Sequence, residues 1–144
     1  MLLSIEAING SKMIGDFKLH RGSETVLVVD DDDKVRKIVT EIMHLLRYVV
    51  LETSSPKKAL EISYNYTGPI HLLLTDMSMP ELNGMKLACN LAIARPETKI
   101  LYMSGDPGPF INGLHSHRFN PSLFIQKPFT PSALASKVRA VLEQ

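Results

Sequence analysis

Several features are scarce in this sequence, and each scarcity excludes a class of protein. The 144 residues include only one cysteine, so an intrachain disulfide scaffold is excluded. No apolar run reaches the roughly 18 residues that a membrane span needs, so no membrane partner is expected. The formal net charge is only +1, so direct nucleic-acid binding through bulk electrostatics is not expected either.

What is present is a composition typical of a globular domain. Hydrophobic residues make up 44% and charged residues 22% of the chain, which allows a core without disulfides or structural metals. The length predicts one domain, which we place at residues 24–144 after a mixed lead-in or linker at 1–23. The single Cys89 fits a reducing cytoplasm, and we expect it to pack within the apolar stretch 87–91.

Short apolar runs alternate with segments of helical periodicity. Runs rich in leucine and β-branched residues predict strands, and apolar side chains at every third or fourth position predict the helices between them. Strands are predicted at 25–29, 48–53, 70–75, 98–103 and 123–126, and helices at 33–46, 56–66, 84–94 and from 131 onward. This alternation predicts an α/β fold, a doubly wound five-stranded parallel sheet with helices on both faces.

Chemically distinctive residues stand at the ends of four of the five predicted strands. Asp30 and Asp31 follow the first strand, Asp76 the third, Ser104 the fourth and Lys127 the fifth. Parallel strands end at the same edge of a sheet, so we expect these side chains to converge. Three carboxylates repel one another, and Mg²⁺ relieves that repulsion because it prefers oxygen ligands. With one ammonium and one hydroxyl nearby, the set indicates phosphoryl transfer onto Asp76.

Each of these residues also has an ordinary structural interpretation. Asp76 could cap the helix that follows its loop, and Ser104 could be a cap in the same way. Asp32 and Asp33 could be no more than the solvated acidic first turn of a helix, and Lys127 alone could be a surface lysine. The joint position at four strand ends favours the functional interpretation.

The sequence resembles a receiver domain of the two-component response-regulator family over about residues 25–143. The family's motifs occur in order: VLVVDD at 26–31, LLLTDMSMP at 72–80 with Gly84, MSG at 103–105, and KPF at 127–129. The stretches 100–105 and 124–131 are most similar to receivers attached to hybrid sensor histidine kinases. The resemblance implies the flavodoxin-like strand order 2-1-3-4-5.

The resemblance also implies a role for each matching residue. Asp76 would accept a phosphoryl group from the phosphohistidine of a histidine kinase, and Lys127 would pair with that group. Mg²⁺ would be bound directly by Asp31 and held largely through water by Asp30. Asp76 itself and the backbone carbonyl of Ser78 would complete the metal ligands.

A conformational switch is implied as well. Ser104 would move to hydrogen-bond the phosphoryl group, and Phe124 would be the aromatic residue that changes rotamer with it. Phe124 stands where many members have Tyr, and Pro56 stands where many have Gly.

Residues 106–121 are predicted to be irregular, with at most a short helix at 109–115. This stretch is rich in Pro and Gly, which departs from the regular fourth helix of the family. Asp106 is predicted to affect the lifetime of the phosphoryl group. The pair His115 and His117 is interpreted as part of a loop, because no third metal ligand accompanies it.

The implied function is that of a phosphoacceptor signalling switch in a two-component phosphorelay. Its partners would be a sensor histidine kinase, separate or fused, and a His-containing phosphotransfer protein. It would not be an enzyme beyond catalysing its own phosphorylation and dephosphorylation. One alternative is a Mg²⁺-dependent phosphatase with an aspartyl nucleophile. That class would need a second Asp as general acid two residues after the nucleophile, where this sequence has Ser78. The other is a receiver-like module that binds partners without being phosphorylated.

Overall fold

The structure, a computed structural model, describes residues 21–105 and 121–144. The strands are β1 (Thr25–Val29), β2 (Val49–Thr53), β3 (Leu72–Asp76), β4 (Lys99–Ser104) and β5 (Phe124–Gln126). The helices are α1 (Asp33–Leu45), α2 (Pro56–Asn65), α3 (Gly84–Ala94) and α4 (Pro131–Leu142), and a 3₁₀ turn at Pro121–Leu123 precedes β5. None of these four described helices has the length and apolar character needed to cross a membrane.

The predicted order and type of the described elements are confirmed. β2 begins at Val49, one residue later than predicted, and β3 covers Leu72–Asp76 instead of 70–75. α3 has the predicted bounds. The lead-in before residue 21 and the predictions for 106–120, which include the short helix, Asp106 and the histidine pair, lie outside the described residues.

All five strands form one parallel sheet in the order β2-β1-β3-β4-β5, as the resemblance implies. β1 and β3 lie at the centre of the sheet, and all of their residues are buried because helices cover both faces. β2 forms one edge and is only partly buried. The register aligns Val29 of β1 with Thr75 of β3, so the carboxyl ends of the two central strands are level.

A capping side chain precedes each described helix and accepts hydrogen bonds from backbone N–H groups of its first turn. The four capping residues are Asp32, Ser55, Asn83 and Thr130. Pro56 and Pro131 follow two of these caps, at positions where a missing N–H costs no helical hydrogen bond. Each described helix begins shortly after the carboxyl end of a strand, so the caps also fix the loops that carry the polar residues.

Two hydrophobic clusters hold the helices against the sheet, one on each face. Side chains of successive residues in a strand point to opposite faces, so β1 sends Val26 and Val28 to one cluster and Leu27 and Val29 to the other. The first cluster is completed mainly by α1 and α4, and the second by α2 and α3.

The prediction that Cys89 packs in the core is wrong, because its side chain is exposed. α3 turns Leu87, Ala88 and Leu91 toward the sheet. A helix has 3.6 residues per turn, so these residues lie on one stripe, and position 89 falls on the side of it that faces water.

A bidentate ion pair ties α4 to the start of β1. Arg139 Nη2 lies 2.5 Å from Glu24 Oε2, and Arg139 Nη1 lies 3.2 Å from Glu24 Oε1. The side chains are 17% and 22% exposed, respectively. Hydrogen bonds from Arg139 lower the pKa of Glu24 to about 2, although partial burial acts in the opposite direction.

Arg95 directly follows α3 and, like Glu24, lies at the edge of the sheet where the strands begin. Its Nε lies 2.7 Å from the Ser63 carbonyl and its Nη1 lies 2.6 Å from the Gly68 carbonyl, while Nη2 donates to the Tyr66 carbonyl. These carbonyls belong to the end of α2 and to the loop before β3. One guanidinium therefore joins two helices and a loop, using the several donors that arginine offers.

Gly84 allows α3 to begin directly against the end of β3. A Cβ atom at this position would lie 2.4 Å from the Asp76 carbonyl oxygen and 3.2 Å from the Met77 Cα. The Gly84 N–H donates to the Met77 carbonyl at 2.9 Å. Any larger residue here must therefore displace either the helix or the backbone at Asp76.

We expect Glu24→Gln to destabilise the fold by about 1–2 kcal/mol near neutral pH, because it removes a partly buried carboxylate from Arg139. A group whose pKa is lowered by folding stabilises above its unfolded pKa, near 4.5, and this stabilisation is lost as the pH falls toward about 2. The difference in unfolding free energy between wild type and Glu24→Gln should therefore shrink between about pH 6 and about pH 3. Urea denaturation followed by circular dichroism measures it.

Glu143→Gln is the matched control for this experiment. Glu143 pairs with the same guanidinium at 2.9 Å, but it is 65% exposed, so its removal should change stability by less than about 0.5 kcal/mol. If the difference in unfolding free energy between wild type and Glu24→Gln stayed constant over this pH range, the prediction would be contradicted.

Gly84→Ala should lower the free energy of unfolding by about 1–3 kcal/mol, because the added methyl group overlaps the backbone of Asp76. Gly105→Ala is the control, since no described atom lies within 4 Å of a Cβ atom at that position. Its expected change is less than about 0.5 kcal/mol. Urea denaturation of the two variants measures both values, and equal stabilities would show that the close approach at Gly84 has no energetic consequence.

Candidate functional site: an acidic cluster at the carboxyl edge of the sheet

Three carboxylates meet at the carboxyl edge of the sheet, between β1 and β3. Asp30 and Asp31 directly follow β1, and Asp76 is the last residue of β3. The register pairs Val29 with Thr75, so Asp30 and Asp76 are the next residues on adjacent strands. One carboxylate oxygen from each of the three aspartates lies within 4.8 Å of the other two. The structure therefore brings these three residues together, as the sequence predicted.

Lys127 brings a positive charge to this cluster. Its Nζ lies 3.1 Å from Asp76 Oδ1 and 3.2 Å from Asp30 Oδ2. Its backbone N–H donates to the Ser104 carbonyl at 2.8 Å, so the pairing of β4 with β5 continues to the residue that carries the ammonium group. The peptide bond between Lys127 and Pro128 is cis. A lysine that bridges two carboxylates and is only 22% exposed is not an ordinary surface lysine.

Burial and charge act in opposite directions on the groups of this cluster. Asp30 is fully buried, and burial raises the pKa of its carboxyl group because a charge is less stable away from water. The Asp32 N–H, 2.9 Å from Asp30 Oδ1, and the Lys127 ammonium oppose this shift. Burial alone would lower the pKa of Lys127, but the charges of Asp30 and Asp76 outweigh it and raise that pKa. The ammonium group therefore stays charged.

Asp76 does not cap the helix that follows it. The Asn83 side chain caps α3 and accepts a hydrogen bond from the Lys86 N–H at 2.9 Å. The Asp76 carbonyl accepts a hydrogen bond from Thr75 Oγ1 at 2.9 Å. The capping interpretation of Asp76 is therefore wrong. The residue is only 8% exposed, and its carboxylate faces Lys127 instead.

Ser104 and Phe124 lie on neighbouring strands near this edge. Ser104, the last residue of β4, is 4% exposed and aligns with Gln126 of β5. Phe124 aligns with Tyr102, and the centroids of their rings are 5.1 Å apart. Burial raises the pKa of Tyr102 to about 12, so its hydroxyl keeps its proton at neutral pH. The predicted switch residue thus packs on a tyrosine two positions before Ser104.

The donor set fits a hard divalent cation such as Mg²⁺. All three aspartates offer oxygen ligands, which Mg²⁺ prefers. Asp31 is exposed while Asp30 and Asp76 are buried, so the cluster is open to water on one side, as suits an ion that keeps several waters. Ser78, whose carbonyl is the fourth predicted ligand, is an exposed residue two positions after Asp76.

Arg36 contacts this site, and the sequence did not reveal that contact. Its Nη1 donates to the Asp30 carbonyl at 2.8 Å, and its Nη2 lies 2.7 Å from Asp33 Oδ1. The spacing of three residues between Asp33 and Arg36 is a known ion-pair spacing on helices, but the bond to the Asp30 carbonyl has no sequence signal. Asp32 caps α1 and Asp33 lies in its first turn, as the structural interpretation of these two residues has it.

The family model for the response regulator receiver domain matches residues 26–139. The chain is 34% identical over 125 residues to "Sensor kinase CckA" of Brucella abortus (strain 2308), an alignment that covers 85% of this chain and 13% of that protein. It is 29% identical over 123 residues to "Probable transcriptional regulator ycf27" of Guillardia theta, covering 84% of this chain and 46% of that protein. The chain thus spans less than half the length of either relative.

Solved structures have the same fold. The receiver domain from the hybrid histidine kinase CckA superposes with a TM-score of 0.67 at 26% identity, covering 82% of this chain and 98% of that one. The chemotaxis protein CheY4 of Vibrio cholerae gives a TM-score of 0.69 at 19% identity, covering 83% and 99%. The family match, the relatives and the motifs at the strand ends agree, and this chain belongs to the response regulator receiver domain family of two-component signalling.

Proposed function

We propose that this chain is the phosphoacceptor switch of a two-component phosphorelay, in which Asp76 takes a phosphoryl group from a histidine kinase in a Mg²⁺-dependent step. The observation that carries the proposal is the double contact of Lys127 Nζ with Asp76 at 3.1 Å and Asp30 at 3.2 Å. It places a fixed positive charge beside the carboxylate that would react. This charge favours phosphoryl transfer over partner binding alone.

Asp76 is suited to be the nucleophile. One of its carboxylate oxygens would bond to phosphorus while the P–N bond of the phosphohistidine breaks, and the nitrogen would take the bonding electron pair. Lys127 already contacts Asp76 Oδ1, so its ammonium group would lie beside the transferred phosphoryl oxygens and offset their charge.

Asp30, Asp31 and Asp76 would hold Mg²⁺, together with the backbone carbonyl of Ser78. The ion supplies positive charge that neutralises the phosphoryl oxygens. Asp31 would be a direct ligand, since it is the exposed member of the cluster. Asp30 also engages Lys127 and the Asp32 N–H, which leaves it better suited to act through water.

Ser104 and Phe124 would convert phosphorylation into a change at the surface. Phosphorylation adds charge and acceptor oxygens beside Lys127, whose backbone is bonded to that of Ser104. Movement of the Ser104 hydroxyl toward these oxygens would vacate space on β4. The Phe124 ring would then leave Tyr102 and fill that space, which is a shift between two packings of the same residues.

Members of this family act with histidine kinases or phosphotransfer proteins. The similarity to a sensor kinase and to the receiver of a hybrid histidine kinase supports a donor kinase that is either fused to this domain or separate. Residues 24–144 would form the receiver and 1–23 a lead-in, in the cytoplasm. The domain would catalyse only its own phosphorylation and dephosphorylation.

Incubation with phosphoramidate and Mg²⁺ should add about 80 Da, one phosphoryl group, to the intact mass of the protein. Asp76→Asn should abolish this gain, because an amide is a far weaker nucleophile than a carboxylate. Asp32→Asn is the matched control. It makes the same chemical change next to the cluster and retains a good helix cap, so it should be modified like wild type.

Two other results would contradict the proposal. Turnover of many phosphoester molecules per protein molecule would indicate a phosphatase with an aspartyl nucleophile. No mass gain with either phosphoramidate or acetyl phosphate would indicate a module that binds its partners without phosphorylation.

Ser104→Ala should still be phosphorylated on Asp76 but should not pass the change on to Phe124. In wild type, the aromatic NMR resonances of Phe124 should shift when phosphoramidate and Mg²⁺ are added, and this shift should fall by more than about half in Ser104→Ala. Ser136→Ala, on the exposed side of α4, is the control and should behave like wild type. A full Phe124 shift in Ser104→Ala would show that the hydroxyl does not carry the signal.

A further inference from the structure

Arg36 joins the loop that carries Asp30 and Asp31 to the elements around it. Besides its bonds to the Asp30 carbonyl at 2.8 Å and to Asp33 at 2.7 Å, its Nε lies 3.4 Å from Glu52 Oε1. The Arg36 side chain is 17% exposed. One guanidinium group thus contacts the end of β1, the first turn of α1 and β2.

Asp30 is held at each of its polar groups. Its N–H donates to the Thr53 carbonyl at 3.3 Å, its Oδ1 accepts from the Asp32 N–H at 2.9 Å, and its Oδ2 faces Lys127. The bond from Arg36 to its carbonyl oxygen completes this set. The position of Asp30 is therefore fixed from four directions, and Arg36 supplies the restraint on the carbonyl.

The Asp30 carbonyl belongs to the peptide unit that leads into Asp31. A peptide unit is planar, so a hydrogen bond that holds its oxygen also fixes the nitrogen and the Cα atom of the next residue. Within residues 21–105 and 121–144, no hydrogen bond or ion pair holds the Asp31 carboxylate. The point on the backbone from which that carboxylate reaches the cluster therefore depends, through the peptide plane, on Arg36.

Two roles of Arg36 would change cation affinity in opposite directions: holding the backbone of Asp31 in place would strengthen cation binding, and acting only as a positive charge would weaken it. A positive charge close to three carboxylates repels a cation and weakens its binding. The acid partners of Arg36 are 82% exposed for Asp33 and 46% exposed for Glu52, and such exposed pairs contribute little to stability. The two roles can thus be separated by the sign of the change in Mg²⁺ affinity.

We infer that Arg36 is a positioning residue of the cation site, which fixes the Asp30–Asp31 peptide plane and so directs the Asp31 carboxylate into the cluster. The inference rests on the proposed Mg²⁺ site. It assigns to Arg36 an effect on cation affinity that is separate from its effect on the stability of the fold.

The Mg²⁺ dissociation constant of Arg36→Met tests this role. Methionine keeps an unbranched apolar stem but donates no hydrogen bond, so the affinity for Mg²⁺ should fall about 10-fold, the scale seen for residues that orient metal ligands. Arg36→Lys keeps the charge and one donor direction, and a fall of about 3-fold is expected. NMR titration of the backbone amides of residues 30–33 gives the constants, and circular dichroism confirms that each variant is folded.

Arg95→Met is the matched control. Arg95 also donates to backbone carbonyls, those of Ser63, Tyr66 and Gly68, but at the opposite edge of the sheet. This variant should lower the thermal midpoint and leave the Mg²⁺ dissociation constant within about 2-fold of wild type. A loss of Mg²⁺ affinity equal to that of Arg36→Met would mean that general destabilisation, rather than positioning, explains the effect, and would overturn the inference.

Equal or tighter Mg²⁺ binding by Arg36→Met would also overturn it, because loss of a positive charge alone predicts tighter binding. If Arg36→Met does not fold, Arg36→Lys decides, since an affinity equal to that of wild type overturns the inference and a lower affinity supports it. A wild-type chain that binds no Mg²⁺ would overturn the proposed metal site together with this inference. Normal binding by wild type and an unaffected variant would overturn the inference alone.

Discussion

Repulsion between like charges at the ends of the two central strands is the constraint on which this site depends. β1 and β3 are adjacent and in register, so they bring Asp30 and Asp76 side by side, and Asp31 adds a third carboxylate. Burial of Asp30 makes the arrangement more costly. Lys127, between Asp30 and Asp76, offsets part of this cost. One ammonium group cannot balance three carboxylates, and the remaining negative charge suits a divalent cation.

Backbone contacts hold the charged residues against this repulsion. The Asp30 carbonyl is bonded to Arg36, and the Lys127 N–H is bonded to the Ser104 carbonyl. Because Gly84 has no side chain, the first turn of α3 can lie close to the carbonyl of Asp76. Each anchor acts on the main chain beside a reactive side chain, so the carboxylates and the ammonium group stay available for a ligand. Such supporting contacts limit how far like charges can move apart.

Local patterns in the sequence were sufficient for the fold class and for the meeting of three aspartates at one edge of the sheet. Strand-length apolar runs, capping pairs such as Ser55-Pro56 and helical periodicity predicted the alternation of elements, with boundaries that differ slightly from the observed ones. Because parallel strands end at one edge, the order of the strands and loops along the chain was enough to place the aspartates at 30, 31 and 76 together. The strand order came from the family motifs, since the apolar pattern of a buried strand does not specify its neighbours.

The sequence by itself thus determined the α/β architecture and the identity of the residues at the strand ends. Only the tertiary structure decided how these residues meet: that Lys127 contacts two carboxylates, that Arg36 holds the Asp30 carbonyl, and that Phe124 packs on Tyr102. The exposure of Cys89 was decided at the same level. These contacts depend on strand register and on the rotation of each helix about its axis. Those quantities are set by packing between segments far apart in the chain, and short-range patterns do not encode them.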